Sequence, residues 1–426
     1  MLFKFPFSTF KLGKFLVLRN ILVLVGGTSF AQVVAIAFTP FLSRVYSPED
    51  FGAFGTIMAV VGIVSLIASL CFETALVLEN DDGDAKHLLN LILVCVTLTT
   101  AVFAIATLIV VYFFSGFFNI NDYGLVLAVP AATVFALYNV CISIHNRNQL
   151  YKDMASAQII RKAGIGFFQL ALSIFFVSEL GLLLGSLVGV LVPILYMTYK
   201  NPSLFKIELS KYSDLRKLSI RYINFPKFSV PQNLLNLVSG HAPIFAFAYH
   251  YNLATAGAFY FAFKIVQIPA SFIGLSVRQI FLKECSKISG DHYGLLKILS
   301  IFSSGLTLIM AIPVVLVFFF GSELFIYFFG QPWKLAGDMS SFMILWVASN
   351  IIAAPSRTLF LSQNKQDKVL VFDSVLFVAK IFILFFLPVN YSPVLTIAAL
   401  SLLIVIVNLG CIFYWAYILR ANHLAR

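Results

Sequence analysis

KNPSLFKIELSKYSDLRKLSIRYINFPK, Lys200–Lys227, is the longest polar interruption in an otherwise apolar chain. It carries Lys200, Lys206, Lys211, Arg216, Lys217, Arg221 and Lys227 against Glu208 and Asp214. A hydrophobic block of similar length stands on either side. Each block reads as about six membrane-length segments, because a helix needs roughly 20 apolar residues to cross a bilayer. Lys and Arg collect in short cytoplasmic loops, so the same stretch orients the chain. The expectation is an all-α polytopic membrane protein of about 12 transmembrane helices. Residues 1–199 and 228–426 form two six-helix lobes, joined by a basic cytoplasmic linker over 200–227.

Composition agrees. Of the 426 residues, 60% are hydrophobic and 11% charged, with a mean hydropathy of +0.96. Soluble domains carry about 25% charged residues. The apolar runs do not alternate, which excludes a transmembrane β-barrel. A net charge of +11 would point to nucleic acid in a soluble protein. Beside membrane spans the positive-inside rule accounts for it, and no nucleic-acid partner is expected. Cys71, Cys95, Cys141, Cys285 and Cys411 lie mostly in apolar runs without paired spacing. They read as small buried hydrophobes, with neither a disulfide framework nor a metal site.

The segments fall at 20–43, 52–79, 88–114, 123–146, 155–178, 180–199, 228–250, 254–282, 296–320, 338–362, 368–389 and 393–419. With both termini cytoplasmic, only Arg44 and Lys334 among the basic residues fall in outside loops, while Lys264 and Lys380 lie within spans. Met1–Asn20 lacks a short apolar core with a small-residue cleavage site and reads as a cytoplasmic tail. The outside loops are short, the longest near Glu323–Lys334, which leaves no platform for an enzyme working on the outer face.

The two halves echo each other. RVYSPEDFGAF runs over Arg44–Phe54 and HYNLATAGAF over His250–Phe259. Aligning Gly52-Ala53-Phe54 with Gly257-Ala258-Phe259 also places Tyr46 on Tyr251 and Glu73 on Arg278. Both stretches leave one span and enter the next at the same face, so the repeat is a parallel one, about an axis along the membrane normal.

These residues resemble a known family. The R-x-Y-x-P-E-x-F-G signature at Arg44–Gly52 is similar to that of Wzx-type O-antigen and lipid-linked oligosaccharide flippases, of the multidrug/oligosaccharidyl-lipid/polysaccharide (MOP) superfamily. FPKFSVPQNLLN at Phe225–Asn236 and GAFYFAFKIVQIP at Gly257–Pro269 resemble that family's seventh and eighth helices. The resemblance implies a MATE-like V of two lobes. It also implies transport of undecaprenyl-pyrophosphate-linked glycans across a bacterial inner membrane, with a polysaccharide polymerase and a chain-length regulator as candidate partners.

Such cargo needs a cationic seat for pyrophosphate, a polar lining for sugar and an apolar side opening for the tail. Intramembrane charge is costly unless it meets a cavity or a partner. Lys264 lies ~15 Å from the outer end of its segment, too deep to snorkel easily, and is the first candidate anion contact. Arg161 and Lys162 enter segment five near the inner face, where collecting pyrophosphate and snorkelling to headgroups are both open. Asn233 and Gln267 are candidate sugar contacts, although such amides also bond helix to helix. Glu73 and Arg278 suggest a gate at the cytoplasmic mouth, and Arg278 is also a candidate contact in the pyrophosphate and sugar cavity. Asp373 and Lys380, seven residues apart on one helical face, are candidates for gating or ion coupling. Coupling to H+ or Na+ stays open, no other cofactor is implied, and His145, His241 and His250 show no ligand spacing. Pro243, Pro269 and Pro355 are expected to kink their spans.

Two other readings compete. A MATE-type cation/drug antiporter would want acids in its cavity, where this chain offers bases. An O-antigen polymerase-like enzyme would need a sizeable outer loop. The acidic ENDDGDAKH at Glu79–His87 is also unlike the basic loop of major-facilitator transporters.

Overall fold

Helices occupy each of the twelve expected stretches. The computed structural model describes residues 7–114, 122–205, 211–268, 270, 281, 285, 288, 292–362, 366–388 and 390–424. The helices of the first half are α1 (Phe7–Val45), α2 (Pro48–Ala68), α3 (Phe72–Leu78), α4 (Asp82–Phe114), α5 (Asp122–Arg147), α6 (Tyr151–Leu172) and α7 (Glu179–Lys200). A short α8 (Tyr212–Arg221) and a π turn (Phe225–Ser229) lead to the second half. There follow α9 (Val230–His250), α10 (Leu253–Val266), α11 (His292–Phe329), α12 (Lys334–Ser362), α13 (Gln366–Phe386) and α14 (Pro393–Leu424). Among the described residues, eight of these helices are long and apolar enough to cross a membrane. The chain is a multi-pass membrane protein.

The helices sort into two compact units. One comprises Met1–Val45 and Ile57–Val238, the other Tyr46–Thr56 and Ser239–Arg426. The first turns of α2 therefore belong to the second unit, and α9 passes from one unit to the other between Val238 and Ser239.

In lipid, burying an apolar side chain against another gains little over leaving it in acyl chains, so close packing and interhelical hydrogen bonds hold helices together. The first unit shows both. α6 lies along α7, and the buried Gln169 amide donates to the Leu182 carbonyl at 3.0 Å and to Ser186 Oγ at 2.9 Å. Gln169 is thus occupied within its own unit. Phe72, Leu76, Leu88, Ile92 and Ile144 form a core that α8 joins through Leu218.

The repeated stretches meet inside the second unit. Ser47 and Asp50 cap α2 reciprocally, Asp50 accepting from the Ser47 amide at 2.8 Å and Ser47 Oγ accepting from the Asp50 amide at 3.2 Å. At the equivalent start of α10, Asn252 accepts from the Thr255 amide at 2.8 Å. The two helices then cross backbone to backbone. A methyl group at Gly52 would overlap the Leu253 carbonyl oxygen, and one at Gly257 would overlap that of Pro48. Only glycine permits this approach. Aromatic rings close around it, with Phe51 at 5.2 Å from Trp333 and Phe261 at 3.9 Å from the same ring.

The π turn at Phe225–Ser229 includes a proline, Pro226, whereas the breaks at Leu70–Cys71 and Phe320 do not. α9 and α12 run on as helix through Pro243 and Pro355, and Pro269 lies outside the described residues. The expected second span breaks instead at Leu70 and Cys71, with φ of 51° and 59°. Left-handed backbone costs an L-residue about 1–2 kcal/mol, and this pair separates α2 from α3. α11 is interrupted at Phe320 (φ −120°, ψ 16°).

Candidate functional site

Charged side chains gather in three places, two in the first unit and one in the second. The first is a clasp where α3, α4, α5 and α8 meet. Arg147 donates to Asp82 at 2.7 Å and to the Glu79 carbonyl at 2.9 Å. Arg221 reaches Asp84 at 3.0 Å and the buried Glu79 carboxylate at 3.2 Å, and the Tyr222 hydroxyl donates to Glu79 at 2.6 Å. That hydroxyl bond is the chief reason why the Glu79 carboxyl lies below the usual carboxylate range, and it outweighs burial. Nearby, Asp153 accepts from Lys200 and, at 3.1 Å, from Asn201. Burial works to raise the Asp153 carboxyl, but the Lys200 and Asn201 bonds prevail and hold it low.

Elsewhere in the first unit, polar groups are less well matched. Arg161 stacks its guanidinium 4.6 Å over the Tyr138 ring, and its Nε is buried without a hydrogen-bond partner. The Tyr138 hydroxyl is also buried without one. Lys162 is half-buried one residue further along α6. Glu73, on α3 just past the left-handed pair, has a buried Oε2 lacking a partner. Asn233, exposed on α9, donates to Cys71 Sγ at 3.6 Å, at the break between α2 and α3. Arg278, the expected gate partner of Glu73, lies outside the described residues.

The second unit holds the remaining candidates. Lys264 and Gln267 are exposed, Lys264 in the last turn of the apolar α10 and Gln267 at its C-cap. Asp373 on α13 pairs with Arg357 of α12 at 2.9 Å. Arg357 also reaches Asn408 Oδ1 on α14 at 3.3 Å, and the Asn408 amide donates to Ser349 and Asn350 of α12, each at 2.9 Å. Lys380, two turns along α13 from Asp373, is buried, makes one long bond of 3.4 Å to Ser239, and sits 5.4 Å over the Trp346 ring. Asp373 and Lys380 are not bonded to one another, in keeping with their spacing. Among the described residues this partly exposed network contains two cations and one acid.

Arg357 is the residue that sequence reasoning did not single out: its guanidinium joins α12, α13 and α14. Its spacing was a usable signal. Asn350 and Arg357 are seven residues apart, the same interval as Asp373 and Lys380, so each pair shares a helix face.

Known proteins give this geometry a context. Residues 41–337 match the family described as polysaccharide biosynthesis protein, and the chain belongs to that family. Among curated proteins none matches the sequence. Similar solved structures include the lipid II flippase MurJ in an inward closed conformation. It has TM-score 0.71 and 14% identity, over 91% of this chain and 87% of that one. An inward-facing multidrug resistance MATE transporter of the MOP superfamily has TM-score 0.62 and 12% identity, over 93% and 94%. A MOP superfamily transporter from Pyrococcus furiosus, described as having a binding pocket of reverse polarity, has TM-score 0.55 and 14% identity, over 95% of both chains. The chain shares its fold with these structures.

Proposed function

We propose that the chain is a flippase. Its cargo is an undecaprenyl-pyrophosphate-linked oligosaccharide, an O-antigen or capsule repeat unit. It carries this cargo from the cytoplasmic to the periplasmic leaflet of a bacterial inner membrane, by alternating access of two six-helix lobes whose termini are both cytoplasmic. Family membership supports the polysaccharide context and the MOP fold supports a transporter. The observation that carries the reading is Lys264, an exposed cation on an otherwise apolar membrane helix with no described carboxylate beside it. A cation so placed suits an anionic cargo and opposes a cationic drug. In this reading Arg161 and Lys162 meet the pyrophosphate from the first unit, Asn233 and Gln267 meet sugar, and Glu73 with Arg278 gates the cytoplasmic mouth. Asp373 and Lys380 serve gating or coupling to H+ or Na+. A polymerase and a chain-length regulator would act on the delivered units.

Deletion and complementation test this, scoring surface glycan together with the leaflet that holds carrier-linked units. The expected result is loss of surface glycan with units stranded on the cytoplasmic leaflet. Lys264→Ala should behave like the deletion at normal expression, and Lys264→Arg should retain function. Single units that reach the outer face in the deletion strain would overturn the reading.

A further inference from the structure

Helix α8 is fixed to the first unit by one face only. Leu218 is buried in the core and Leu215 packs against it. Arg221 and Tyr222 tie the helix end to Glu79 and Asp84. At 100° per residue, the opposite face then presents Tyr212, Arg216 and Ile220, with Lys217 at its edge, and Ile223 follows in the turn just past the helix end. Tyr212, Ile220 and Ile223 are 79%, 61% and 51% exposed, too much aliphatic and aromatic surface to leave in water beside so many charges. Lys211, Arg216, Lys217 and Lys227 lie along the same stretch, and among the described residues none is in an ion pair. Asp214 is the only acid between 211 and 229. Only residues 222–224 and the π turn separate α8 from α9.

We propose that this outward face of α8 docks on the phosphate headgroups of anionic lipids in the adjacent leaflet, the cytoplasmic one in the orientation set by charge. The cations meet phosphate while Ile220 and Ile223 enter the boundary between headgroups and acyl chains, as in interfacial amphipathic helices. An acidic protein would satisfy the cations but leave the interleaved isoleucines without an apolar partner. The inference needs a membrane-embedded chain and is independent of the glycan cargo.

Amide hydrogen exchange of the full chain in nanodiscs tests it, using phosphatidylglycerol-containing discs against pure phosphatidylcholine. Exchange over 211–223 should slow roughly fivefold or more with the anionic lipid, and the slowing should vanish in high salt. The Lys211→Gln/Arg216→Gln/Lys217→Gln variant should lose it, while Lys211→Arg/Lys217→Arg should keep it, which separates charge from folding. Equal exchange in both discs, or slowing that survives in the glutamine variant, overturns the proposal. So does a photo-crosslinker at position 212 that captures a soluble acidic protein in cells instead of lipid.

Discussion

The clasp around Glu79 and the network around Arg357 use the same kinds of side chain to opposite ends. In the clasp, Glu79, Asp82 and Asp84 each face a guanidinium, and a phenol completes the set. It closes at the rim of the first unit, where water can reach Asp82 and Arg221. In the second unit Asp373 pairs with Arg357 while Lys380 has no described ion pair, and Arg357 Nε stays buried without a partner. A matched set of charges fixes geometry. A set with a surplus buried cation, Lys380, carries an electrostatic cost, which the negatively charged cargo of the proposed flippase would offset.

The largest expected effect sharpens that difference. Lys380→Met should lower surface glycan roughly tenfold while leaving thermal stability equal or raised, because it removes a cation with little to bond. A lower melting temperature at full activity would make Lys380 a structural residue. Arg357→Met should destabilise by about 2 kcal/mol, less than a fully buried pair would lose because both side chains are about a third exposed. The double variant with Asp373→Leu should recover most of that loss, which a thermal unfolding cycle in detergent would measure. Glu79→Gln should cost about 1 kcal/mol and leave transport unchanged at matched expression.

The smallest effect is a pH dependence. Glu79 and Asp153 have folded-state carboxyls below the usual range. Their contribution is therefore complete above the ordinary carboxylate pKa and disappears as pH falls through the depressed values. Melting temperature should be flat from pH 7 to 5 and fall below about pH 4. Glu79→Gln should flatten the fall. An equally steep fall in that variant would assign it elsewhere.

Much of the fold was legible because a bilayer imposes length and apolarity on each helix, and all twelve apolar runs carry one. The Gly52–Gly257 alignment was legible as a repeat, and its physical content is the crossing of α2 and α10. The break at Leu70–Cys71 was not legible. Neither residue favours left-handed backbone, no glycine or proline marks the spot, and surrounding packing imposes it. Arg357 went unremarked for a related reason. A base near the end of an apolar run looks the same whether it snorkels or pairs, and the choice rests with Asp373 and Asn408 on other helices. The placement of Lys264 in the last turn of an apolar helix was legible because it follows from counting residues.

The crossing of α2 and α10 has one more consequence. Position 52 faces the carbonyl of 253 while position 257 faces that of 48, and the two pairs exchange under the repeat's shift of register. That is the form of an isologous interface, in which one patch meets its own counterpart. The contact is what two identical half-length chains would make as a homodimer, here fused into a single polypeptide. Fusion frees each side to vary separately: Asp50 faces Thr255 in the alignment and Phe51 faces Ala256, while glycine occupies both sides where the backbones touch.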